Sequence, residues 1–119
     1  MSTRILVAED DTSIRSLVSK FLEKQGYEVV TASDGAEAVV KLDGERFDAV
    51  VLDIMMPKLD GFGVLQHLTE TQPDLASHVV VMSAFPRTAT GRLGGTCRVL
   101  SKPFELDELK SALLACCAA

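Results

Sequence analysis

The sequence predicts an α/β fold: one parallel sheet with helices on both faces. Two observations predict it. Short apolar runs, rich in β-branched residues and mostly without alternation, recur along the chain, as expected for strands buried on both faces. Between them lie stretches with apolar residues at helical spacing, so strands and helices alternate, which means a parallel sheet with crossover helices of right-handed sense.

The strands come first. The apolar runs are Ile5-Leu6-Val7-Ala8, Val29-Val30, Ala49-Val50-Val51-Leu52, Val79-Val80-Val81-Met82 and Val99-Leu100. Ile14, Leu17, Val18, Phe21 and Leu22 predict the first helix, capped by Asp11 or Thr12 and ended by Gly26. Ala36, Val39, Val40 and Leu42 predict a second after Ser33-Asp34-Gly35. Val64, Leu65 and Leu68 predict a third, opened by Asp60-Gly61 and closed before Pro73. Leu106, Leu109, Leu113 and Cys116 predict the last. From Ala84 to Thr96 the chain carries Pro86, Gly91, Gly94 and Gly95, so a short or broken helix is expected there. No repeat, low-complexity tract or linker interrupts the order, and residues 1–119 read as one domain.

Composition narrows the function. At 119 residues, 47% hydrophobic and 24% charged, the chain can bury a core without staples. A net charge of −5 argues against direct nucleic-acid binding, which needs a basic face. No apolar run approaches the roughly 18 residues of a membrane span, and MSTRILVAEDD lacks the pattern of a signal peptide. Cys97, Cys116 and Cys117 are odd in number and two are adjacent, so reduced cytosolic thiols are expected rather than a disulfide framework or metal site. Cys116 is expected in the core and Cys117 outside it. A cytoplasmic location follows.

Polar residues stand where strands run out. Glu9, Asp10 and Asp11 follow the first strand, Asp53 the third, Ser83 the fourth and Lys102 the fifth. Doubly wound sheets bind ligands at that carboxyl edge, near the switch point between strands one and three. Three converging carboxylates repel unless a hard cation joins them, and Mg²⁺ prefers oxygen ligands while bridging to phosphate. A lysine and a hydroxyl alongside would receive phosphate oxygens. A cation site fused to an anion site is equipment for phosphoryl transfer. A carboxylate can itself be the nucleophile, and Asp53, alone at its strand end, is the best placed.

With these residues assembled, the chain resembles the receiver domains of bacterial two-component response regulators over essentially its whole length. Ile5 to Asp11 (ILVAEDD), Asp53 to Gly61 (DIMMPKLDG), Met82-Ser83-Ala84 and Lys102-Pro103-Phe104 carry the resemblance, in order and each at a strand end. It implies a flavodoxin-like five-stranded parallel sheet of order 2-1-3-4-5 with helices on both faces, while the glycines of residues 84–96 make the fourth helix short or irregular. It implies that Asp10 is a direct Mg²⁺ ligand and that Glu9 acts through water. Asp53 is then phosphoacceptor and metal ligand, and Met55 offers its backbone carbonyl. Ser83 and Lys102 bind the phosphoryl group, and Lys102-Pro103 is a cis peptide. The implied partners are a sensor histidine kinase or phosphotransfer protein, and a downstream target or fused output domain. The implied role is a switch that catalyses only its own phosphorylation and dephosphorylation, not an enzyme with a separate substrate.

Two departures from that pattern bear on function. Val99 stands three residues before Lys102, where receivers usually carry Tyr or Phe, and the segment from Ser83 to Lys102 is shorter and glycine-rich. Both favour the alternative of an interaction domain that signals without phosphorylation. They also lead to the expectation that order in residues 84–96, not an aromatic rotamer, responds to Asp53. From Ser77 to Phe104 there is no acid, while Arg87, Arg92, Arg98 and Lys102 are present, a local basic face for an acidic partner. Asp11 reads as a helix cap, and His67 and His78 as surface residues. An aspartate-nucleophile phosphatase would carry a second Asp where Met55 stands. A flavodoxin would need a hydroxyl- and glycine-rich loop where Glu9-Asp10-Asp11 stands.

Overall fold

Five strands, β1 (Arg4–Ala8), β2 (Glu28–Ala32), β3 (Ala49–Asp53), β4 (Val79–Ser83) and β5 (Arg98–Ser101), pair in parallel in the order β2-β1-β3-β4-β5. The computed structural model that gives this arrangement describes residues 3–56, 58–83, 98–102 and 104–117, with Cys116 and Cys117 described by backbone alone. The expected order is therefore observed. The register runs Leu6 beside Val50 and Leu52 beside Val81, which stacks the apolar runs across the sheet.

Every residue of β3 and β4 is buried. β2 and β5 are not: each keeps an exposed first residue and half-buried middle residues. The expectation of burial on both faces thus holds for the inner strands and fails for the outer two. An edge strand has one neighbour and is only partly roofed by helices.

Among the described residues the helices are α1 (Thr12–Lys24), α2 (Gly35–Gly44), α3 (Gly61–Thr71), α4 (Pro73–Ala76) and α5 (Leu106–Cys117). The first three begin on an aspartate that takes an orphan backbone N–H: Asp11 from Ile14, Asp34 from Glu37 and Asp60 from Gly63. Gly26 ends the first unit with φ +94°, a conformation that favours glycine. The single turn α4 was not anticipated. Pro73 closes α3 and immediately starts a new turn at its first position, where its missing N–H costs nothing. The helix expected within 84–96, the cis Lys102-Pro103 bond, the positions of Arg87 and Arg92, and the side chains of Cys116 and Cys117 lie outside the described residues.

The sheet separates two cores. One joins Leu6, Val50, Leu52 and Val81 to Leu42 of α2 and Val64 and Leu68 of α3. The other joins Ile5, Val7, Val51 and Met82 to Val18 and Leu22 of α1 and Leu109 and Leu113 of α5. Helices therefore cover both faces. Among the described residues no helix is long and apolar enough to cross a membrane.

Candidate phosphoryl and metal site

All five strands point their carboxyl ends the same way, so the polar residues that follow them gather on one edge. Glu9, Asp10 and Asp53 each offer a carboxylate oxygen, and the three oxygens lie within 4.8 Å of one another. Glu9 and Asp53 are buried and Asp10 is exposed. The Lys102 ammonium sits 3.0 Å from Glu9 Oε2 and 3.2 Å from Asp53 Oδ1. One cation thus serves two buried carboxylates from the neighbouring strands β1 and β3. Ser83 is buried at the end of β4, in register with Ser101, and its carbonyl accepts the Lys102 N–H at 2.8 Å. Ser83 and Lys102 are in this way tied through the backbone.

The loop after β3 is fixed in three places. Ile54 N–H donates to Met82 O at 3.2 Å, Gly61 N–H donates to Ile54 O at 2.9 Å, and Met55 N–H donates to Asp53 Oδ1 at 3.3 Å. Met55 exposes its side chain. The loop also packs hard on α2: a Cβ at Gly35 would lie 1.7 Å from the Leu59 carbonyl oxygen. Lys58 takes a left-handed conformation, φ 68°, and pairs with Asp34 Oδ2 at 3.4 Å.

Burial sets the electrostatics. It pushes the Glu9 carboxyl up to about 7, and the hydrogen bond with Asp53 adds to the rise, while Lys102 and the Asp11 N–H oppose it. Burial also works against the charge on Lys102, but Glu9 and Asp53 outweigh it and hold the ammonium above its ordinary range.

The structure brings together Glu9, Asp10, Asp53 and Lys102 and sets Ser83 and Met55 on the same edge. It leaves Asp11 outside the cluster, capping α1 through Oδ1 while its own N–H donates to Glu9 Oε1. His67 contacts Asp43 at 2.7 Å, away from the edge. Val99 is half-buried and packs against the α2/α3 core beside Val81. Sequence reasoning missed Arg15. Its Nη1 donates to the carbonyls of Glu9, at 2.9 Å, and Asp10, at 3.4 Å. The available signal was a cation in the first turn of a helix, where the dipole disfavours it.

The profile of the response regulator receiver domain matches residues 5–114. The chain belongs to this family. The receiver is 40% identical over 118 residues to the response regulator MprA of Mycobacterium bovis, an alignment covering 97% of this chain and 50% of that protein. The chain therefore spans about half the length of the curated relatives it matches. Among solved structures it resembles the Thermotoga maritima response regulator TrrA in complex with Mg²⁺ and BeF, with 30% identity, a TM-score of 0.87, and 96% and 98% of the two chains covered. It equally resembles the receiver domain of the Francisella response regulator 1452, with 30% identity, a TM-score of 0.85 and 97% of each chain covered. As a response regulator receiver domain, the chain is a component of two-component signalling.

Proposed function

We propose that this receiver takes a phosphoryl group onto Asp53 from a sensor histidine kinase or phosphotransfer protein, with Mg²⁺ bound at the acidic cluster. The observation that carries the reading is the meeting of Glu9, Asp10 and Asp53 within 4.8 Å, with Lys102 3.2 Å from Asp53. The residues fit the ion. Three carboxylate oxygens, the hard donors that Mg²⁺ prefers, converge there, and the exposed Asp10 leaves the cluster open to an ion. Asp10, Asp53 and the Met55 carbonyl would hold it directly and Glu9 through water.

When bound, Mg²⁺ neutralises charge on the carboxylates and on the phosphoryl oxygens. The Asp53 oxygen attacks phosphorus, the bond to the donor's imidazole nitrogen breaks, and the imidazole keeps the bonding pair and takes up a proton. Lys102 exchanges its hold on the carboxylates for one on a phosphoryl oxygen, and the Ser83 hydroxyl donates to another. Water later attacks the same phosphorus and returns Asp53 to the carboxylate with release of phosphate. An apolar cleft lined by Ile14, Leu17, Val18, Phe104 and Leu106 borders the stem of Lys102 and gives a donor protein a surface beside the site. This chemistry belongs in the cytoplasm, where ATP feeds the donor. The output acts through a downstream protein or a fused domain.

The test is phosphorylation by acetyl phosphate with Mg²⁺, followed by intact mass. The wild type gains one phosphoryl group and Asp53→Asn gains none; equal labelling of both removes Asp53 from the role. Val99 favours a second reading, signalling without phosphorylation. That reading requires a wild type that stays unlabelled under the same conditions.

A further inference from the structure

The turn between β1 and α1 carries two of the three carboxylates, so their aim depends on how its backbone is held. On one side Glu9 N–H donates to Ala32 O at 3.1 Å. On the other, the Arg15 side chain reaches back from α1 to the two carbonyls that flank the Glu9–Asp10 and Asp10–Asp11 peptide links. Helical side chains lean toward the N-terminus, so this reach is natural for the fourth residue of α1. Its electrostatics are not, because a cation in the first turn opposes the helix dipole. The two carbonyls supply partners that bare solvent exposure would not, and a bond from a charged donor is stronger than a neutral one.

We infer that Arg15 is a positioning residue for the metal carboxylates: it clamps the Glu9 and Asp10 carbonyls and so aims the Asp10 carboxylate at Asp53. This rests on the reading of the cluster as a Mg²⁺ site. Charge and clamp make opposite demands. A guanidinium beside a divalent cation repels it, so loss of the charge alone tightens binding. Loss of the clamp frees the turn and weakens binding.

Calorimetric titration of the whole chain with Mg²⁺ separates them, using Arg15→Met, which keeps the stem without a donor, and Arg15→Lys, which keeps a charged donor. Arg15→Met is expected to bind Mg²⁺ roughly threefold to tenfold more weakly, the value of part of one charged hydrogen bond. Arg15→Lys is expected to return to within about twofold of wild type, since an ammonium still donates to a carbonyl. Arg15 is half-buried in the first turn of α1 and outside both cores, and thermal melts without metal should show both variants folded. Equal or tighter binding by Arg15→Met, with a wild type that binds, overturns the inference alone. So does an equal loss in both variants, which would mark a packing role. A wild type that binds no Mg²⁺ overturns the metal reading and this inference with it.

Discussion

At the scale of single residues, the site is a problem of too few cations. Glu9 and Asp53 are buried with one ammonium between them. The raised Glu9 carboxyl makes folding depend on pH with a definite sign. Between about 4.5 and about 7 the folded chain keeps a proton that the unfolded chain has released. Metal-free stability should therefore decline as pH climbs through that window and level off above it. Mg²⁺ affinity should rise over the same range as Glu9 ionises. Melts and titrations from pH 5 to 8 check both, and Glu9→Gln should flatten both. Lys102→Met removes the shared cation and leaves two buried carboxylates unpaired. It should cost on the order of 2–3 kcal/mol near pH 8, and less near pH 5, where Glu9 is protonated. A deficit independent of pH in urea unfolding would contradict this account.

At the scale of elements, contacts between loops do what local sequence does not announce. Gly35 and Gly26 make a contrasting pair. At Gly35 a Cβ would run into the Leu59 backbone of the loop that carries Met55; at Gly26 it would meet nothing, but φ is +94°. Gly26→Ala should cost about 1 kcal/mol through backbone strain and leave Mg²⁺ binding unchanged. Gly35→Ala should cost about 2 kcal/mol or more and also weaken Mg²⁺, because the loop must move. Binding that is equally insensitive in both variants would separate the Leu59 contact from the site. The strands and the caps at Asp11, Asp34 and Asp60 were legible because each is written within a few residues, in apolar runs and short polar side chains. So was the acidic edge, since a parallel sheet sends every strand end the same way. The sharing of Lys102 between Glu9 and Asp53 was not, because the partners are 93 and 49 residues away and only burial sets their distances. Arg15 and α4 escaped for the same reason: tertiary partners, not propensity, explain them.

At the scale of the whole molecule, one sheet divides two cores, yet both hang on the same strands. Val64 lies in the α2/α3 core and Val18 in the α1/α5 core, and both are buried. Each valine-to-alanine change should cost about 2 kcal/mol. Because the sites share no partners, the double variant should equal the sum to within about 0.5 kcal/mol. Unfolding followed by far-ultraviolet circular dichroism should remain one transition. Two separated transitions would mean that the faces unfold independently and the sheet does not couple them.

The opposite edge of the sheet repeats the arrangement of the site in another medium. There Arg4 pairs with Glu28 at 3.4 Å and with Glu45, lies over the Phe47 ring, and takes Asp48 on its own backbone N–H at 2.8 Å. One cation again faces several carboxylates, but Glu28 is 57% exposed where Glu9 is 1% exposed. Dissolved salt therefore screens the Arg4 pairs more strongly than the Lys102 pairs. At about 1 M salt the Debye length falls to about 3 Å. The Arg4 cluster should then lose most of its attraction, while the Lys102 pairs keep theirs. Ionic strength and acidity are thus separate handles: one loosens the edge where the strands begin, the other the edge where they end.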